Sequence, residues 1–134
     1  MSYSPQIRYL AFVLLFVSTD TIAQWVEVGH NETTTFYANL ASIQIDDTGI
    51  VKMSNLLDLK APDNSTAPPY LSMKSLAEYN CKEVTYRFLE SQNFSDNMGN
   101  GDVVLRNTVG DWNPLPSRSA VKALWNIACG QTQF

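Results

Sequence analysis

The chain has little of what metalloproteins and enzymes commonly use. It contains one histidine and two cysteines in 134 residues, too few for a four-cysteine zinc site or one of two cysteines and two histidines. It has no run of lysines or arginines, and its formal net charge is −4. Nucleic acids and anionic membranes attract clustered positive charge, so the composition argues against both as partners. These absences favour a small, non-enzymatic domain without a cofactor.

Long apolar runs are also scarce. The longest covers nine residues, Tyr9 to Val17, which as a helix rise about 14 Å, roughly half the thickness of a bilayer core. Arg8 precedes this run, and a short polar stretch, Ser18 to Thr21, separates it from Ala23. This layout predicts a signal peptide over residues 1–23, cleaved between Ala23 and Gln24, and a retained membrane anchor is the alternative. We expect residues 24–134 to form an exported domain without membrane insertion, in the periplasm, secreted or at the cell surface.

Both cysteines, Cys81 and Cys129, follow the predicted cleavage site. An oxidising compartment favours a bond between them, whereas two reduced, buried cysteines are the alternative. The bond would close a loop worth about 4 kcal/mol in the loop-entropy model. Neither cysteine directly follows Ala23, so the lipid attachment of bacterial lipoproteins has no acceptor there.

Runs of β-branched and alternating apolar residues predict most of the chain to be strand. The predicted strands are 25–28, 33–37, 43–45, 50–59 and 103–105. Asp46 to Gly49 is typical of a hairpin turn. Pro62 to Pro69, with three prolines, and Ser95 to Gly101 are predicted surface loops.

Residues 70–94 are ambiguous. Ser72 to Tyr79 suits an amphipathic helix, but Val84, Tyr86 and Phe88 alternate as in a strand. Cys81 has the opposite parity to these three residues, which conflicts with one regular strand. A bulge near residues 82–83, or a strand buried on both faces, would remove the conflict.

The last element is predicted to be a helix that starts at Ser117 or Ser119 and ends at Gly130. Its apolar residues recur at helical spacing and form one stripe: Val121, Leu124, Trp125, Ala128 and Cys129. We expect this stripe to pack on the sheet, with Cys129 at its edge. The predicted class is therefore α+β, an antiparallel sheet with a C-terminal helix across one face.

Other distinctive side chains receive a structural interpretation. We expect the three tryptophans to be core residues, His30 and the aspartate pairs to lie in turns, and a basic strip to be a solvated part of the sheet. No motif places a serine or carboxylate beside His30. The tryptophans are Trp25, Trp112 and Trp125, and the strip is Lys74, Lys82, Arg87 and Arg106.

Three segments resemble the surface-adhesin protein E family of Gram-negative bacteria. They are YLSMKSLAEYNCK at 70–82, MGNGDVV at 98–104, and residues 112–130 with a tryptophan, a Pro-Ser helix start and a terminal Cys-Gly. The resemblance implies a curved antiparallel sheet of about six strands, with the C-terminal helix tethered by the disulfide to the concave face, and it makes 70–94 mainly strand. Asn80 stands where the family pattern has aspartate.

The resemblance implies an exported, non-enzymatic binding domain. Its partner would be a protein, such as a host matrix or serum protein, and a homodimer is possible in this family. We expect recognition to use the loops at 62–69 and 95–101, because loops on a rigid scaffold commonly carry it. The alternative is a periplasmic accessory protein that never meets a host, which the missing lipid acceptor favours.

Overall fold

The computed structural model describes residues 25–108 and 110–130, which form an antiparallel sheet and one C-terminal helix. The predicted signal peptide and its cleavage site, Ala23 and Gln24, lie outside these residues. The strands are β1 (Trp25–His30), β2 (Thr34–Ile45), β3 (Ile50–Asp63), β4 (Tyr70–Asn80), β5 (Thr85–Phe94), β6 (Val103–Thr108) and β7 (Asn113–Pro114), and the helix is α1 (Ala120–Gly130).

The sheet is an open meander in which each strand from β1 to β6 pairs with the next one in sequence. Two strands share the outer side of β5, since β6 pairs with its second half and the two-residue β7 pairs with Thr85 and Tyr86. Among the described residues, β1 forms one edge of the sheet and is paired only with β2. The predicted antiparallel sheet of about six strands is confirmed, with β7 added.

The ambiguous segment 70–94 is a hairpin of two strands, β4 and β5, as the family resemblance implies. Cys81 lies in the turn between them, so the parity conflict arises because the chain reverses between Cys81 and Val84. The bulge expected near residues 82–83 and the doubly buried strand were therefore wrong. The register shift of this hairpin lies further along, where Leu89 of β5 has no partner in β4.

The third strand includes Pro62, which the sequence analysis places in a loop. The predicted loop at 62–69 begins only at Asn64, because Pro62 and Asp63 extend β3 and Asp63 pairs with Tyr70. The ladder is interrupted between Asp58 and Asp63, so Pro62 lies where a missing N–H costs no ladder hydrogen bond.

Alternation along the strands divides the sheet into two faces. The face that packs against α1, here called the helix face, holds the main core, and the other is here called the open face. The buried residues of this core are Ala38, Val51, Met53, Ala77, Tyr79, Leu124 and Ala128. One polar pair is buried with them, since the amide nitrogen of Asn55 donates to the hydroxyl of Tyr79 over 2.6 Å.

The helix begins where the sequence predicts. Of the two candidate caps, Ser119 is the one used, because its hydroxyl accepts a hydrogen bond from the Lys122 backbone N–H over 3.2 Å. Lys122 and Asn126 are exposed on the outer side. No helix within residues 25–108 and 110–130 is long and apolar enough to cross a membrane.

Candidate binding surfaces

The disulfide fixes the C-terminal end of α1. Cys81, in the turn after β4, is bonded to Cys129 with a Cα–Cα distance of 5.6 Å, which confirms the expected pair. The neighbouring Trp125 donates its indole N–H to the backbone oxygen of Asn80 over 3.3 Å. The end of the helix is therefore held at the β4–β5 turn by one covalent and one hydrogen bond.

The predicted helix stripe lies toward the sheet. Leu124 and Ala128 are buried in the core, Trp125 packs against it, and Val121 is half-buried. Among its contacts with the sheet, α1 touches β1, β2, β3 and β4. The helix thus crosses the sheet, and its first turn lies near the edge strand β1.

A cleft of about 570 Å³ lies between this first turn and β1. It is referred to below as the β1–α1 cleft. Its lining consists of Val28, Gly29, His30, Asn31, Phe36, Arg118, Ser119, Ala120 and Ala123. The wall contributed by the sheet is thus the second half of an edge strand, and the opposite wall is the start of a helix.

Gly29 gives the cleft its depth. It pairs with Phe36 of β2, so the two residues lie on the same face of the sheet. A Cβ atom added at Gly29 would meet no heavy atom within 4 Å. A glycine inside a strand often marks a bulge or a close approach by a ligand, and β1 has a bulge at Val28, directly before Gly29.

The rim of the cleft is polar and partly charged. Arg118 is exposed and makes no ion pair within the described part of the chain. The ring of His30 lies 3.0 Å from the carboxylate of Glu27, and both side chains are largely exposed, at 67% and 52%. No sequence motif indicates this pair, because the bulge at Val28 is what puts Glu27 and His30 on the same face of β1. The expectation that His30 lies in a turn was wrong, since His30 is the last residue of β1. Ser119, across the cleft, uses its hydroxyl as the helix cap.

The tryptophans do not all belong to the core. Trp125 packs against the core as expected, but Trp112 is 36% exposed, with the guanidinium of Arg87 4.7 Å from its ring centre. Trp25 is half-buried and lines a second, smaller groove. The core interpretation was thus wrong for Trp112 and for Trp25.

This second groove, of about 280 Å³, crosses the open face over five strands. Cross-strand pairing sets Trp25, Asn39, Ser54, Leu76 and Glu90 in one row, each on the next strand. Lys74 and Gln92 complete the polar lining. Since successive partners share a face, the row forms a continuous channel of mixed polarity.

The basic strip is less uniform than the sequence suggests. The guanidinium of Arg87 donates to the carboxylate of Glu78 over 2.7 and 2.9 Å, which neutralises it, and the ammonium of Lys74 lies 5.3 Å from the ring centre of Phe94. Lys82 lies in the β4–β5 turn, away from Arg106 on β6. The structure therefore does not join these four residues into one patch.

The loop at 95–101 is held against the sheet. The carboxylate of Asp58 accepts hydrogen bonds from the Asn97 side chain and the Met98 backbone, at 3.0 and 2.7 Å. The hydroxyl of Ser72 accepts from the Gly99 backbone N–H and donates to the Asp96 carbonyl, at 2.8 and 2.6 Å. A loop with this many anchors presents a fixed shape.

Sequence reasoning missed the β1–α1 cleft, because it is formed by two ends of the described chain. The one local signal was Gly29 between strand-forming residues, which we took as a strand stop, although β1 continues through His30.

Within the described residues, no group of three or more His, Cys, Asp or Glu side chains is placed to hold a metal ion.

These features define a class, an α+β domain made of an open antiparallel sheet and one C-terminal helix joined by a disulfide. A family model described as surface-adhesin protein E matches residues 25–130. The chain therefore belongs to the surface-adhesin protein E family. Among curated proteins, no sequence match is found.

Solved structures of protein E from Haemophilus influenzae share this fold. One matches with a TM-score of 0.60 and 16% identity, covering 84% of this chain and 89% of the other. A second crystal form gives 0.62 and 16%, with 84% and 92% covered. A structure of protein E from a non-typeable strain gives 0.58 and 16%, with 84% and 79%. At this identity the likeness shows the fold alone.

Proposed function

We propose that this chain is an exported, surface-exposed adhesin domain that binds a protein partner and has no catalytic activity of its own. The family match over residues 25–130 is the observation that carries this proposal. The predicted signal peptide at 1–23 supports export, and cleavage between Ala23 and Gln24 is part of the proposal.

The geometry of the described surface supports binding in preference to catalysis. The one histidine forms an exposed pair with Glu27, and the nearest serine in the cleft, Ser119, is committed to capping α1. A general base normally acts within hydrogen-bonding reach of a nucleophile or substrate in a site that limits water. The exposed His30 pair supplies no such environment.

The partner class we propose is an extracellular protein of the host, from the matrix or from serum. The test compares bacteria that lack this chain with the same strain carrying it, on surfaces coated with matrix extract or serum protein. We expect adhesion to rise when the chain is present. The purified chain 24–134 should bind the same coated surfaces, and N-terminal sequencing of the exported form should begin at Gln24.

Equal adhesion of the two strains, together with no binding by the purified chain, would contradict the proposal. It would favour the periplasmic accessory role, which is compatible with the missing lipid acceptor after Ala23. The purified chain can also be tested against a panel of hydrolase substrates. Hydrolysis of any of them that is lost in the His30→Ala variant would contradict the non-catalytic part of the proposal.

A further inference from the structure

We infer that the β1–α1 cleft receives an extended segment of the partner protein, which adds as a strand to the free edge of β1. The segment would place an apolar side chain over Gly29 and a carboxylate beside Arg118. This inference rests on the proposed protein-binding function and names the site and the chemistry of the segment that it binds.

The first step of the argument is the edge itself. In an antiparallel pair, a strand uses only every second residue to bond its neighbour, so the remaining N–H and C=O groups of an edge strand point away from the sheet. In β1 this alternation is interrupted by the bulge at Val28, and it holds for Trp25 to Glu27 and again for Gly29 and His30. No backbone group elsewhere in residues 25–108 and 110–130 pairs with that side. Free edges of this kind are the template for strand addition, a recurring mode of peptide recognition.

The second step is the depth beside the edge. Gly29 leaves open space on the face of the sheet that it shares with Phe36, and Ala123 of α1 is a small residue on the opposite wall. A volume of about 570 Å³ accommodates a large side chain together with part of a backbone. An apolar side chain of an added strand would therefore find apolar atoms on both sides.

The third step is charge. Arg118 stands at the mouth of the cleft, exposed and without an ion pair in the described chain. A guanidinium favours a carboxylate, which it binds through two parallel hydrogen bonds. Either a C-terminal carboxylate or an Asp or Glu side chain of the partner supplies this chemistry.

The hairpin that bears the cleft is well braced. The side-chain oxygen of Asn31 accepts hydrogen bonds from the backbone N–H groups of Thr33 and Thr34, both at 2.9 Å. At the other wall the Ser119 cap fixes the first turn of α1. A preformed cleft lowers the entropic cost of binding an extended segment.

The experiment screens the oxidised chain 24–134 against random linear dodecapeptides, displayed in one library with free C-termini and in another within a loop. We expect enrichment of sequences with a bulky apolar residue next to an acid or a C-terminus. Enrichment only with free ends would assign the carboxylate to the C-terminus, and enrichment in both libraries would assign it to a side chain. No shared motif in either library would overturn the inference.

The best synthetic peptide is then tested against variants. Gly29→Leu should weaken binding about ten-fold or more without lowering the unfolding temperature, since the new side chain fills open space. Arg118→Gln should weaken it by a similar factor. The controls Lys122→Gln, on the outer side of the first turn of α1, and Gly130→Ala, another glycine with open space, should bind as the parent does.

Strand addition also has a backbone signature. N-methylation of the peptide at successive amides should abolish binding at alternate positions on each side of the bulge at Val28, because every second amide bonds to β1 there. A flat N-methylation profile, or unchanged binding by Gly29→Leu, would overturn the inference. Self-association that Gly29→Leu abolishes, without peptide binding, would assign the cleft to a second copy of the chain and also overturn it.

Adhesion measurements distinguish failure of the cleft inference from failure of the proposed adhesin function. If Gly29→Leu bacteria still adhere to matrix or serum protein, the cleft inference fails and the adhesin proposal stands. If the parent bacteria do not adhere and the purified chain does not bind the coated surfaces, the adhesin proposal fails whatever the peptides do.

Discussion

At the scale of single residues, the fold depends on a buried polar pair that no pattern in the sequence indicates. Asn55 is fully buried in β3 and donates to Tyr79, which is 1% exposed. Burial raises the pKa of the Tyr79 hydroxyl above its ordinary value, so the group stays neutral and accepts the bond. Strand alternation predicts apolar residues at both positions and gives no reason for the asparagine.

The variant Tyr79→Phe tests the value of this pair. It removes the acceptor and leaves the amide nitrogen of Asn55 buried without a partner. We expect the free energy of unfolding to fall by about 1–3 kcal/mol, measured by urea denaturation. The double variant Tyr79→Phe, Asn55→Leu should recover part of the loss, because it also removes the buried donor that has no acceptor. Unchanged stability in the single variant would show that the hydrogen bond contributes nothing net.

A second prediction concerns Asp46 and the pH dependence of the protein's stability. Its carboxylate accepts hydrogen bonds from the Thr48 hydroxyl, at 2.6 Å, and from the Ile50 and Thr48 backbone N–H groups, and these bonds lower its pKa below the ordinary 3.8. Because the folded pKa is the lower one, this stabilisation is complete above pH 3.8 and is lost as the pH falls through the folded pKa.

Asp46→Asn should therefore lower the melting temperature at neutral pH, and the difference from the parent should shrink as the pH falls below 3.8 and through the lowered pKa of Asp46. The measurement is a series of thermal melts over pH. Asp47→Asn, the adjacent residue with no side-chain hydrogen bond in the described chain, is the matched control and should leave the pH profile unchanged. A constant difference at every pH would contradict the role given to the Asp46 charge.

At the scale of elements, the sequence predicted the helix well because several signals agree there. The apolar stripe, a cap at Ser117 or Ser119 and the end at Gly130 indicate one helix, and the structure selects Ser119 as its cap. The segment 70–94 could not be settled by pattern alone, because the turn at Cys81 to Val84 carries neither glycine nor proline. Val84 takes a φ of 55°, which is unusual for a β-branched residue, so no local rule predicts a turn there.

Local sequence patterns could not predict the β1–α1 cleft or the groove on the open face either. Strand order is needed to know that the row from Trp25 to Glu90 crosses five strands, or that Arg118 faces the edge strand β1. Neither arrangement is local in sequence. The loops at 62–69 and 95–101 were easier to locate, but the anchoring of the second by Asp58 and Ser72 depends on side chains over twenty positions away.

The disulfide is the element-scale prediction with the largest expected effect. Cys129→Ser removes a cross-link between residues 48 positions apart and should lower the free energy of unfolding by roughly 2–5 kcal/mol. Thermal melts of the parent with and without reductant provide the same comparison without mutation. The double variant Cys81→Ser, Cys129→Ser is the control and should not respond to reductant. A parent that melts identically in reductant would contradict the tethered-helix account.

At the scale of the whole molecule, two candidate binding surfaces lie on one frame, the sheet with its tethered helix. The β1–α1 cleft is at the edge beside the start of the helix, and the smaller groove crosses the open face. The disulfide holds the far end of α1, so loss of the cross-link should also loosen the cleft wall formed by its first turn. The disulfide would thereby couple the stability of the helix to binding at the cleft.

The measurement that tests the central claim most directly is protease treatment of intact bacteria, followed by detection of the chain and of a periplasmic control protein. The account predicts that this chain is digested while the control is spared, as a surface adhesin requires. Protection of the chain until the outer membrane is opened would place it in the periplasm and contradict the proposed surface adhesion.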